Sequence, residues 1–242
     1  MSCHIDLYII SSFLLFFSVC LWIASKLEDV KAPSRQELCY ISDYSVSNGQ
    51  LLRLEQHICT LLQFRLQHVT PYHFLSAFLR ASTAEDTASS SSNFDNCDPV
   101  NVPIVSMVKY FLELSRASYQ LSQERPDLLT ASCVYLARAT LGIVGKDKKE
   151  QTPPNGLYWS NTLKHYTTYE ATDMVDTVVK LYKLQIEAES AASTGVGGCP
   201  AYKRYGLREH HCVSLKAPPR LENLGLPNMN IDYDNFIEPC FI

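Results

Sequence analysis

Three observations in this chain of 242 residues predict an all-α fold. Apolar residues recur three and four apart over most of its length, with no sustained strand-like alternation. Serines stand at helix-start positions with Glu or Gln three residues on, at Ser34/Glu37 and Ser47/Gln50. Prolines and glycines fall at the edges of the apolar runs rather than inside them. Hydrophobic residues make up 46% of the chain and charged residues 19%, enough apolar content to build a core.

The first helix is predicted to end near Asp29, because Ala32-Pro33 cannot continue its hydrogen-bond ladder. A short helix opens at Ser34. The next opens at Ser47 and carries Leu51, Leu54, Ile58, Leu61 and Leu62 as one apolar face. Thr70-Pro71 pairs an N-cap threonine with a proline at the first helical position, starting a helix that runs to about Arg80. The polar, serine-rich stretch over 82–98 reads as a flexible surface loop.

Helical pattern resumes at Asn101, with Ile104, Val108, Phe111 and Leu112 sharing a face. Pro126 opens a helix whose Ala131, Ser132, Ala137 and Ala139 permit close approach by neighbours. A loop with Pro153, Pro154 and Gly156 follows. A short helix from Trp159 then leads into a long one bearing Met174, Val178, Leu181 and Tyr182. After about Ala192 the chain reads as extended. Two groups of helices imply two helical units.

Charge and cysteine usage narrow the function. The net charge is −4 and no Lys/Arg stripe stands out, which argues against a phosphate-tracking nucleic-acid surface. Nine scattered cysteines, an odd number, read as thiols of a reducing compartment. Cys199, His210, His211 and Cys212 lack the spacing of a zinc site. Gly195 to Gly198 lacks the Gly-Lys-Ser/Thr ending of a phosphate cradle. No nucleophile elbow or paired-carboxylate pattern occurs, so neither catalysis nor a cofactor is expected. The uncharged run 7–24 has 18 residues, long enough to be a membrane-span candidate.

The segments SVCLWIASKLEDV and LCYISDYSVSNGQLLRLEQHICTLLQFRL resemble the second half of a cyclin box of the A/B mitotic type. TPYHFLSAFLR, LLTASCVYLARATLG, WSNTLKHYTTYEATDMVDTVVKLY and YKRYGLREHHCVSLKAPP resemble successive parts of the second cyclin fold. The resemblance implies an atypical hydrophobic segment at 1–17 and a partial N-terminal cyclin box at 18–69. It implies a C-terminal cyclin domain at 70–192, including the loop 82–98, and a Gly/Pro-rich extended tail at 193–242. It also implies a regulatory subunit without enzyme activity, acting on a cyclin-dependent protein kinase in the nucleus and cytoplasm.

The kinase-binding residues it implies are Lys26, Glu28, Asp29, Glu55, Cys59, Phe64 and Leu66. Lys26 and Glu55 would fix register by hydrogen bonds while Phe64 and the leucines supply burial. On the residues alone, Lys26 could equally cap a helix C-terminus and Glu55 could be a solvated helix residue. MSCHIDLYIISSFLLF does not resemble the family's preceding helix; an incomplete gene model reading into intron sequence is the favoured explanation, ahead of a natural truncation or a membrane-tethered derivative. A single-pass membrane-anchored protein with a helical soluble domain stands as the alternative reading, and a DNA-contacting scaffold as a third.

Overall fold

Serine caps and prolines set the helix starts along the chain. The computed structural model describes residues 2–87, 103–144, 158–194, 199–219 and 224, and among them every regular element is helical. The chain divides into two compact units, residues 1–68 and 69–242.

The first unit holds α1 (Ser2–Glu28), α2 (Arg35–Ile41) and α3 (Asn48–Leu61). Both expected capping boxes form: Ser34 and Ser47 accept from the backbone N–H of Glu37 and Gln50, whose side chains accept from the cap N–H in return. Each satisfies two otherwise orphaned donors at a helix start. Val19, Trp22 and Ile23 of α1 meet Leu38, Cys39, Val46, Leu51 and Cys59 in a small core. The two later helices end alike. Asp43-Tyr44 and Gln63-Phe64 both adopt left-handed backbone, and Tyr44 and Phe64 donate their N–H to the carbonyls of Cys39 and Cys59. That six-to-one closure is the bond of a Schellman turn, made here without glycine.

The second unit holds α4 (Pro71–Thr87), α5 (Pro103–Ser115), α6 (Tyr119–Ser122), α7 (Pro126–Leu141), α8 (Asn161–Thr167), α9 (Val175–Thr194) and α10 (Pro200–Tyr205). Helix α7 is its axis, contacting α4, α5 and α9. Every residue from Leu129 to Ala139 is buried, the signature of a helix enclosed on all sides. The small residues Ala131, Ser132, Ala137 and Ala139 lie within it as expected, and Thr130 Oγ1 donates to the Pro71 carbonyl at 2.9 Å. Gly142 ends α7 with φ of +69°, where an L side chain would be strained. Tyr135 donates its hydroxyl to the Leu224 carbonyl at 2.6 Å and packs edge-on against Tyr158. Met174, Val178, Leu181 and Tyr182 are buried, as the periodicity predicts.

Three expectations need correction or restriction. Helix α4 passes Arg80 and reaches Thr87, so the first residues of the predicted 82–98 loop are helical. Ser82 is buried and accepts from Arg138 through both its carbonyl and its Oγ, which explains why a polar segment stays ordered. Residues 88–98, like the Pro153–Gly156 loop, lie outside the described residues.

The expected extended tail from 193 onward instead contains α10, with Pro200 at its first position, and 3₁₀ turns at Arg208–His210 and Val213–Leu215. Glycine and proline content suggests an extended tail, yet a proline at the first helical position starts a helix. Ala201 and Tyr205, four apart, bury the face of α10, and Tyr205 packs against Tyr110 of α5 with ring centroids 5.6 Å apart.

Asp127, in the first turn of α7, accepts from Arg125, from the Tyr169 hydroxyl and from the Leu128 N–H. Partial burial pushes its carboxyl up, but these bonds and the Arg125 charge outweigh it and hold the carboxyl below the usual range. A depressed carboxylate stabilises the fold above the unfolded-state value and loses that contribution as pH falls through the folded value. Asp127→Asn should therefore lower the thermal midpoint at pH 7. The gap from wild type should close as the pH drops below about 4, the ordinary aspartate value. Melts followed by circular dichroism across that range check it, and a gap constant with pH would contradict it.

Candidate docking face

The expected anchors come from two packed helices. Trp22 and Lys26 are four apart on α1, so they share one face. Glu55 sits midway along α3, which packs against α1 through Leu51 and, less deeply, Leu54 and Ile58. This brings Lys26 Nζ onto Glu55 Oε1 as a salt bridge. The same ammonium lies 3.4 Å above the centroid of the Trp22 ring. Trp22 is itself buried and donates its indole N–H to the Pro33 carbonyl at 3.0 Å. Lys26 also stands in the last turn of α1, where the helix dipole favours a cation.

Around this pair the surface is apolar. Leu27, Leu61, Leu62 and Phe64 are exposed, Phe64 at 73%. Phe64 reaches solvent because Gln63 and Phe64 turn the backbone left-handed, which takes the chain off the α3 helical path. Non-glycine residues adopt that conformation at a cost of order 1–3 kcal/mol each. Leu61 and Leu62, expected on the buried face of α3, are therefore corrected to surface residues. Periodicity marks which residues form a stripe; it does not say how far a neighbouring helix covers it.

The other expected contacts divide. Glu28 and Asp29 are exposed just beyond the ion pair. Leu66 is half-buried against the core of the unit. Cys59 is only 6% exposed and belongs to that core, so its side chain offers no docking surface. An α3 residue facing α1 cannot also face outward. Trp22 was not among the expected site residues, although its four-residue spacing from Lys26 was legible as a cation–π signal. Of the residues weighed as zinc ligands, Cys199 is buried in the core and His210 packs on Tyr205 with ring centroids 4.7 Å apart.

Comparison with known proteins matches the family described as cyclin, C-terminal domain, to residues 69–219. The family described as cyclin, N-terminal domain, matches residues 8–67. The chain belongs to the cyclin family. Cyclin-A2-1 of Arabidopsis thaliana is 30% identical over 209 residues, covering 85% of this chain and 40% of that protein. Cyclin-A1-2 of Arabidopsis thaliana is 33% identical over 200 residues, covering 83% and 39%. Cyclin-A3-1 of Oryza sativa subsp. japonica is 28% identical over 197 residues, covering 81% and 46%. The chain thus spans less than half the length of these A-type cyclins.

The cyclin matches meet where the structure divides, near His68. They also bear on α1. Its stretch Ser11–Glu28 is long and apolar enough to cross a membrane by length and composition. The cyclin N-terminal match nevertheless begins at residue 8, ahead of Ser18 where the resemblance starts, and takes in this whole stretch. With Val19, Trp22 and Ile23 in the core, α1 is a helix of the cyclin domain, and the membrane-anchor reading has no support from the comparisons.

Proposed function

We propose that this chain binds a cyclin-dependent protein kinase and acts as its regulatory subunit in the cell cycle, in the nucleus and cytoplasm, without catalysis of its own. The observation that carries the reading is the Lys26–Glu55 pair, set across two helices beside the exposed Phe64. An ammonium has three donors and a carboxylate two acceptor oxygens, so a pair satisfied by one mutual bond retains capacity for a partner's backbone. Leu27, Leu61, Leu62 and Phe64 supply the apolar area around that polar centre.

Such a face works by selection. It engages the kinase conformation whose mobile helix is swung inward and so shifts the population toward the active state. Glu28 and Asp29, exposed next to Lys26, suit the neighbourhood of the kinase's activation segment. Cys59 is not carried forward as a contact, and Leu66 contributes from its half-buried position.

Lys26→Ala combined with Glu55→Ala is expected to abolish capture of a cyclin-dependent kinase while leaving helicity intact. Both residues are partly exposed, so removing both leaves no buried charge unpaired. Unchanged capture, measured by pull-down alongside a circular dichroism spectrum, would discard the pair as anchors.

A further inference from the structure

We infer that Trp22 is a positioning residue for Lys26, holding its ammonium in place before any partner arrives; the inference rests on the kinase-docking reading. The indole ring lies directly beneath Lys26 Nζ, 3.4 Å from centroid to nitrogen. Its own orientation is set by its burial and by the 3.0 Å bond from its N–H to the Pro33 carbonyl. Pro33 lies five residues past the end of α1, in the connection to α2, so that connection also locks the ring. With Glu55 as the second contact, the ammonium is held by a π face and a carboxylate.

A lysine has four rotatable side-chain carbons and loses substantial rotamer freedom when a partner fixes it. Held in advance, it loses less on binding, and affinity rises without any new contact. An indole gives the strongest cation–π partner among the aromatic side chains, and a buried ring cannot swing away. Leucine at position 22 would keep an apolar packing group and lose the hold on the cation. Phenylalanine would keep a ring face and lose the Pro33 bond that orients it.

The test uses the full chain and a purified cyclin-dependent kinase that binds A-type cyclins. Without kinase, the Lys26 ε-methylene protons should resonate upfield in the NMR spectrum, displaced by the ring current. Trp22→Leu should remove that displacement and Trp22→Phe should retain part of it. With kinase, Trp22→Leu should weaken binding by roughly three- to thirtyfold, the span that lysine rotamer entropy allows. In the Lys26→Met background the same change should add nothing.

An undisplaced Lys26 signal in the wild type overturns the inference. So does an equal loss from Trp22→Leu with and without Lys26, which marks Trp22 as a packing residue only. A folded wild-type chain that binds no such kinase overturns the proposed function instead, and the ring-current measurement then decides the positioning role alone.

Discussion

Arg138→Ala is expected to destabilise the C-terminal unit by about 3–5 kcal/mol, the range of large buried truncations that also strand polar partners. Arg138 is fully buried on α7. It donates through Nε to the Tyr158 carbonyl at 2.8 Å and through Nη1 to both the carbonyl and the Oγ of Ser82 at 2.9 Å. Truncation removes these bonds together. Two carbonyls are left buried without those donors, each worth about 1–3 kcal/mol in desolvation, and a cavity opens beside α7. Lysine should not restore the loss, because one ammonium cannot reproduce the forked geometry that reaches two separate segments. Chemical denaturation followed by circular dichroism checks this. An unchanged midpoint for Arg138→Ala would mean that α4 is held past Arg80 by something other than this hub.

Phe64→Gly is expected to move stability and binding in opposite directions. The side chain is 73% exposed, so its removal sacrifices little burial, and its φ of +55° is a conformation that glycine adopts freely. Relief of the left-handed backbone should leave the thermal midpoint unchanged or raise stability by up to about 1 kcal/mol, after the unfolded-state entropy of glycine is subtracted. Kinase binding should fall tenfold or more, as for an aromatic at the centre of an interface. A melt and a titration calorimetry run on the same sample separate the two effects. Loss of stability together with binding would show that Phe64 packs on its own unit.

Several helix starts were the most legible feature of the chain. Capping boxes at Ser34 and Ser47, and proline starts at Pro71 and Pro126, depend only on residues within one turn of each other, so local chemistry suffices. The enclosed character of α7 was readable for a similar reason: its run of small and apolar residues leaves no polar face. Failures clustered where distant residues decide. Ser82 reads as loop until Arg138, 56 residues away, reaches it. The stretch from 193 reads as an extended tail until Tyr205 finds Tyr110 across the core.

The proposed docking face divides along the same line. Sequence resemblance singled out Lys26, Glu55 and Phe64, and it could name them because a family pattern is a property of residue order alone. Which of the neighbouring residues are available to a partner was settled by packing. Cys59 turns into the core, Leu61 and Leu62 turn out of it, and Trp22 slides under the lysine. Residue order carries helix propensity and periodicity, which act over a few residues. Burial and pairing depend on which helix lies opposite, and that is known only once α1 and α3 have closed on each other.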